Sequence, residues 1–340
     1  MMIDLRSDTV TVPTLAMREA MAEAEVGDDV YGEDPTVNKL QDIVAKITGF
    51  AEGLLMPSGT MANLSALSTH AGRGNEVLLP EKAHAYDSEL GGMAAFAGLV
   101  PRPIRAPLGI PDLEGVEQAI RRNKHCAPPG VVLIENTHNA AGGTVVPVSA
   151  QREIISLARK EGLPIHLDGA RAFNAATALN IDIKEVCAGF DSASICLSKG
   201  LGAPMGTVLV GNKEFISRAH RYRKILGGGM RQSGVLAAAG IVAVHQGPEL
   251  LIDDHRRARY LGEKLAEIPG VHIDLLTVQT NMVFVALPNA YRASNELFAE
   301  GIRASVMAQD CLRFVTHHQI TDDDISTTIQ IAQKILGRRR

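Results

Sequence analysis

Tryptophan is absent from this 340-residue chain, and aromatic residues together make up only 4% of it. That scarcity disfavours a carbohydrate-binding or single-strand nucleic-acid surface, where bases or sugars stack on aromatic rings. Cysteine is sparse too. Cys126, Cys187, Cys196 and Cys311 form no Cys-x-x-Cys pair and no zinc-ligand spacing, which predicts four thiols and a reducing compartment. Charge of one sign is not in excess: 34 basic against 38 acidic residues leave a net charge of −4, so no footprint for nucleic acid or an anionic membrane is present. Arg338, Arg339 and Arg340 read as a solvated tail. The longest strongly apolar run, Gly234 to Val244, is well short of the roughly 20 residues that span a bilayer. Asp4, Arg6 and Asp8 stand where a secretory signal would place its apolar core, so the expectation is neither export nor anchoring, and a cytoplasmic protein. The common nucleotide loops are missing as well. Gly200, Gly202 and Gly206 have the wrong spacing for a dinucleotide fingerprint, and no P-loop pattern occurs.

What is present is an alternation of short apolar runs with helical stretches. Strands are expected at Gly53 to Met56, Glu76 to Leu79, Val131 to Ile134, Pro164 to Asp168, Ser192 to Leu197 and Thr207 to Val210. Several are apolar on both faces, as buried parallel strands are. Between them lie helices expected at Thr36 to Thr48, closed by Gly49, and at Ala150 to Glu161, entered through Ser149 and closed by Gly162. This pattern predicts an α/β fold, a mostly parallel sheet covered by helices. Beyond Gly247 a long amphipathic stretch, Glu249 to Ile268, leads into Val271 to Ile273, Met282 to Val285, Tyr291 to Glu300, Leu312 to Val315 and Asp322 to Leu336. The expected division is a large domain over 1–247 and a smaller α+β domain over 248–340.

Three places could carry chemistry. Pro57-Ser58-Gly59-Thr60 follows an apolar run and opens the helical stretch Met61 to Thr69, so its backbone N–H groups and hydroxyls would face an anion at a helix N-terminus. Asp168, in His166-Leu167-Asp168-Gly169-Ala170-Arg171, ends a strand, where ligands of open α/β sheets collect. His166 shares its face and is read as a structural imidazole, although His-x-Asp also occurs in mononuclear iron sites. Lys199 follows the strand Ser192 to Leu197 and precedes Gly200-Leu201-Gly202; a desolvated lysine there can lose its proton and act as an amine nucleophile. An anion-binding helix start, a strand-end carboxylate and a strand-end lysine are what pyridoxal 5'-phosphate needs for its phosphate, ring nitrogen and aldehyde.

Seven fragments strengthen this reading: residues 4–11 (DLRSDTVT), 26–35 (VGDDVYGEDP), 57–61 (PSGTM), 135–139 (ENTHN), 166–171 (HLDGAR), 197–200 (LSKG) and 226–232 (LGGGMRQ). With these in order, the chain resembles the L-threonine aldolases of the aspartate-aminotransferase-like, fold type I pyridoxal-phosphate superfamily over its whole length. The resemblance implies a Schiff base on Lys199, Asp168 paired with the pyridine nitrogen, and the phosphate cradled by Ser58, Gly59 and Thr60. It also implies that Arg231 reaches a neighbouring subunit's phosphate, and that Arg171 contacts the cofactor or the substrate carboxylate. Ser7 and Arg313 match the family's substrate-carboxylate binders. His84 corresponds to the histidine stacked on the cofactor ring, and His125 to a second active-site histidine near the substrate hydroxyl. The implied assembly is a homo-oligomer, a tetramer in this family, with active sites shared between subunits.

One position departs from the pattern. Many relatives carry an aromatic residue four positions after the stacking histidine, where this chain has Ser88, with Tyr86 two positions earlier. A roomier pocket beside the substrate's β-substituent is expected. The implied reaction is reversible cleavage of an L-β-hydroxy-α-amino acid to glycine and an aldehyde, with no metal. Transamination, racemisation or β-elimination on the same fold is the near alternative. An iron oxygenase using His166 and Asp168, and a binding scaffold without activity, are the distant ones.

Overall fold

The computed structural model describes residues 2–337; the arginine tail lies outside the described residues. Its strands are β1 Ile3–Asp4, β2 Glu52–Met56, β3 Glu76–Pro80, β4 Val100–Ile104, β5 Pro129–Glu135, β6 Ile165–Gly169, β7 Ser192–Cys196, β8 Thr207–Gly211, β9 Met282–Ala286, β10 Ile302–Arg303, β11 Ser305–Ala308 and β12 Cys311–Val315. Seven form the main sheet in the order β2-β8-β7-β6-β5-β3-β4. Within it only β8 runs against its neighbours, pairing antiparallel with β2 and β7. Every residue of β5, β6, β7 and β8 is buried, as strands covered by helices on both faces must be. The principal core joins Ile134, Ile165, Leu167, Ala193 and Val208 of this sheet to Val37, Leu40 and Val44 of the helix Pro35–Thr48. That helix starts as the sequence suggests: Asp34 caps it through Thr36 and Val37 N–H, and Gly49 closes it in the left-handed region.

Three local expectations fail for physical reasons. β4 was not expected because it reads Val-Pro-Arg-Pro-Ile. It lies at the sheet edge, where a proline without an N–H leaves no ladder bond unmade. Ser149 does not enter the next helix. Pro147 is the N-cap, with no side-chain cap, and Val148–Lys160 already encloses the serine. The expected element at 271–273 is reduced to a bridge between His272 and Ala286.

The C-terminal unit is a three-stranded sheet, β11-β12-β9, packed on the helices Ala290–Ala299 and Asp322–Leu336. β1 pairs with β10, so the N-terminal segment is tied to this unit. The helix Gly234–Ala266 joins the two regions. At 33 residues it is about 50 Å long, and by length and apolar content it could cross a bilayer. Here Ala237, Ala239 and Ala243 pack in the principal core, and Ala258, Leu261 and Leu265 in the C-terminal one. The sequence predicts this helix from Glu249, one residue after Pro248. The proline instead lies inside it, which removes the N–H bond to the Val244 carbonyl and sets the ring against that carbonyl.

Candidate active site

The carboxyl ends of β2, β3, β5, β6 and β7 converge, and each delivers a polar group. After β2, Ser58 is the N-cap of the helix Gly59–His70, its hydroxyl accepting from Met61 N–H. Ser58 and Thr60 are exposed. A Cβ on Gly59 would come to 3.7 Å from Thr207 Oγ1, a buried hydroxyl with no partner among the described residues. After β3, His84 donates its backbone N–H to Glu135 Oε2, 2.6 Å away at the end of β5. Its Nδ1 lies 2.9 Å from Glu89 Oε1. That hydrogen bond raises the imidazole above its ordinary pKa against the opposing effect of burial, with Asp168 adding to the rise. Burial likewise raises Glu89, more than its bond to His84 lowers it.

Asp168 ends β6 and is buried. Its Oδ2 accepts from Asn63 Nδ2 at 2.8 Å and its Oδ1 from Ala170 N–H at 3.1 Å. No cationic side chain hydrogen-bonds it among the described residues, so this buried carboxylate is held only by neutral donors. Lys199 follows β7. Its carbonyl accepts from Thr11 Oγ1 at 3.1 Å, and its charge is felt by both Asp8 and His84. His84, Glu89 and Asp168 bring ligand atoms within 4.8 Å of one another. His166 is not in that group. Both its ring nitrogens face Ser192, Ser194 and Asn63, and burial pushes its pKa down to about 3, so the iron reading of the His-x-Asp pair finds no support.

A second set of charges lies on the N-terminal and C-terminal side. Arg171 forks onto Asp8 with bonds of 2.8 and 2.6 Å, both groups being buried. Burial alone would raise the Asp8 carboxyl. Arg171 overrides it, with help from Lys199 and Asn281, and holds Asp8 well below the ordinary range. The free end of Arg171, Nη1, points to Asn139 Oδ1 at 3.4 Å, and Arg313 Nη1 reaches the same oxygen at 3.2 Å. Arg313 also donates to the Arg6 carbonyl, while its Nε is buried without a partner among the described residues. Burial, and then the charge of Arg171, lower its pKa. Ser7 caps the short turn Asp8–Val10, accepting from Thr9.

Two expected residues stand apart. His125 is exposed on the loop between Ala119 and β5, its N–H bonded to Asn123. Arg231 is 59% exposed and paired with Asp28 at 3.3 Å. Its loop packs on the phosphate-side helix, since a Cβ on Gly228 would fall 2.2 Å from Met61 Sδ. Asn63, Glu89 and Thr207 have no expected site role from the sequence, and Asp8, Glu135 and Asn139 lie in the matching fragments without one. Asn63 lies one helical turn after Gly59, a spacing that could have placed it on the same face. Nothing in the sequence pairs Glu89 with His84. A groove of about 1040 Å³ is lined by Phe173, Val244, His245, Ile252 and His255 and holds none of these groups.

The family model described as beta-eliminating lyase matches residues 4–288. Among curated proteins, the low specificity L-threonine aldolase of Escherichia coli K12 is 43% identical over 339 residues, covering 99% of this chain and 100% of its own. The probable low-specificity L-threonine aldolase 2 of Arabidopsis thaliana is 42% identical over 343 residues, covering 98% and 97%. Among solved structures, the threonine aldolase of Leishmania major superposes with a TM-score of 0.84 at 19% identity, covering 98% of this chain and 99% of that one. A serine palmitoyltransferase structure described as holding its PLP internal aldimine superposes with a TM-score of 0.79 at 19% identity, covering 99% and 87%. The fold is therefore that of the fold type I pyridoxal-phosphate enzymes, and the chain belongs to the beta-eliminating lyase family, among its low-specificity L-threonine aldolases.

Proposed function

We propose that this chain is a pyridoxal-5'-phosphate-dependent carbon–carbon lyase. It cleaves L-threonine, L-allo-threonine and related L-β-hydroxy-α-amino acids, reversibly, to glycine and an aldehyde. The observation that carries the reading is Asp168, a buried carboxylate with neutral donors only. Such an anion is costly unless a cation joins it, and a protonated pyridine nitrogen is such a cation. The other donors fit the same group. Lys199 offers the amine for the aldehyde, Ser58, Gly59 and Thr60 offer a helix N-terminus for the phosphate, and the unpartnered Thr207 hydroxyl lies beside that cradle. When bound, the cofactor supplies an electron sink for the carbanion left by Cα–Cβ cleavage.

The remaining work falls to the chain's own groups. Arg313, with a free Nε and only neutral acceptors, is assigned to the substrate carboxylate, where a guanidinium can bind with two parallel bonds. Arg171 and Ser7 border that position. The His84–Glu89 pair, raised toward a shared proton, is assigned to face the ring and to move the proton of the β-hydroxyl. His125 is assigned near the same hydroxyl on the resemblance alone. Arg231 is assigned to the neighbouring subunit's phosphate, in a homotetramer with shared sites; its exposure supports an outward reach. The functional division is placed at 247/248, within the long helix. Four free cysteines support cytoplasmic residence.

Borohydride reduction of the cofactor-loaded protein, followed by peptide mapping, should mark Lys199, and Lys199→Ala should abolish turnover. Glycine and an aldehyde are the expected products. A keto acid with ammonia would instead select β-elimination, the reaction in the family's name.

A further inference from the structure

Asp168 is backed by a file of polar groups that the assignments above leave unused. Asn63 Nδ2 has two hydrogens and two carboxylate acceptors, Asp168 Oδ2 at 2.8 Å and Glu89 Oε1 at 3.1 Å. With its nitrogen so placed, Asn63 Oδ1 faces His166 Nε2 at 3.3 Å and must accept from it. His166 Nε2 therefore carries the ring proton, shared with Ser194 Oγ at 3.2 Å, and Nδ1 accepts from Ser192 Oγ at 2.8 Å. The Ser192 hydroxyl, having donated there, accepts from His70 Nε2 at 2.7 Å. Every donor in the file thus points toward Asp168. Burial keeps both rings neutral, with His70 pushed down to about 4 and His166 to about 3, so protonation does not reverse this polarity near neutral pH. The sheet register sets the geometry, for His166 pairs with Ser192 and Asp168 with Ser194 on adjacent strands. Aligned hydrogen bonds polarise one another, and a fully satisfied buried network fixes its members rigidly.

We propose that Asn63 is a positioning residue: with the His166–Ser192–His70 file behind it, it fixes the Asp168 carboxylate where the cofactor's ring nitrogen must meet it, and through Glu89 ties that carboxylate to His84. The inference rests on the reading that Asp168 takes that nitrogen. Asn63 touches no reacting atom. It sets how firmly Asp168 keeps the ring protonated, and a less fully protonated ring withdraws less charge from the lysine imine conjugated with it. Glu89 and His84 are the charged and titratable groups beside this carboxylate among the described residues, and Lys199 acts on His84.

The test is a pH titration of the visible band of Asn63→Ala and Ser192→Ala holoenzymes, with cofactor dissociation constants measured alongside. Losing a hydrogen bond to a charged group should weaken cofactor binding by about tenfold or more in Asn63→Ala. The band's midpoint should rise by about half a pH unit or more. Ser192→Ala cuts the file two links back and should move both readouts the same way by less, and it stands in if Asn63→Ala does not fold. A lower melting temperature with an unmoved or lowered midpoint in both variants overturns the proposal, because a merely structural role would leave the ring's proton alone. Borohydride labelling of Lys199 in wild type separates the two levels. Absence of label overturns the cofactor reading itself, whereas label without a shift overturns only the role of Asn63.

Discussion

Asp8 and Asp168 are both buried carboxylates at the same site, and they are satisfied in opposite ways. Asp8 receives a two-pronged guanidinium from Arg171 and an amide from Asn281. Asp168 receives an amide and a backbone N–H and no cation. The first is a finished ion pair that joins the N-terminal segment to the large sheet. The second is an unfinished one. The same contrast separates Arg171, whose fork is occupied, from Arg313, whose Nε has no partner. On the function proposed above, the incomplete carboxylate and the incomplete guanidinium are the two places where ligands would bring the missing charges.

Asp8→Asn should break this comparison most forcibly, because it leaves Arg171 buried and unpaired. Removing one partner of a buried pair costs about 3–5 kcal/mol, which the urea midpoint would report. The same change at Asp168 strands no cation, and it should alter the stability of the cofactor-free protein by under about 1 kcal/mol while removing activity. Equal losses of stability at both positions would erase the distinction. The Asp8 carboxyl is held low in the folded chain, so its stabilisation is present above the ordinary carboxylate pKa and lost as pH falls through the folded value.

Arg313→Gln sharpens the other half of the contrast. Loss of a buried charge partner to a substrate carboxylate costs about 2–5 kcal/mol, read as KM for L-threonine rising some 30-fold or more. Stability should hold, since Arg313 makes no ion pair within the described residues. A KM within twofold of wild type would return the carboxylate to Arg171 or Ser7.

Asp254, on the long helix, is a third kind of buried carboxylate: neither oxygen has a partner among the described residues. Burial raises it to about 7, Arg257 opposing and Asp8 and Asp253 adding. A carboxyl raised by folding keeps its proton in the folded state longer than in the unfolded one. Its contribution to stability is therefore full below the unfolded pKa and disappears as pH rises toward 7. Asp254→Asn should stabilise the protein by up to roughly 4 kcal/mol at pH 8 and leave it nearly unchanged near pH 4. A gain at both pH values would show that the charge is not the cause.

How much of this was legible in the sequence follows from what sequence can encode. Strand-end residues such as Asp168 and Lys199 were readable because a buried parallel strand shows as an apolar run and its end as a glycine or turn. β4 was hidden because its two prolines are tolerated only at an edge, and edge position is a property of the finished sheet. The long helix was cut at Pro248 because one missing N–H bond looks like a stop until tertiary packing on both halves outweighs it. Asn63 and Glu89 were invisible for a different reason. Their partners are 105 and 5 positions away, and a polar residue in an apolar run carries no mark of what it will meet.

The surface beside His84 offers the smallest and most selective test of the contrast between finished and unfinished contacts. Ser88 closes the single turn His84–Asp87 by donating its N–H to the His84 carbonyl, and its own side chain is exposed. An aromatic ring there would take up space without altering any charge. It should leave Asp168, Arg313 and Lys199 as they are and act only on the β-substituent. Ser88→Tyr is expected to lower the ratio of kcat/KM for β-phenylserine over threonine by several-fold, on the order of the 1–3 kcal/mol that hydrophobic pockets discriminate by shape. Cofactor affinity should stay at the wild-type value. An unchanged ratio would mean that the substituent points away from Ser88, and the low aromatic content of this chain would then have no bearing on which aldehydes it accepts.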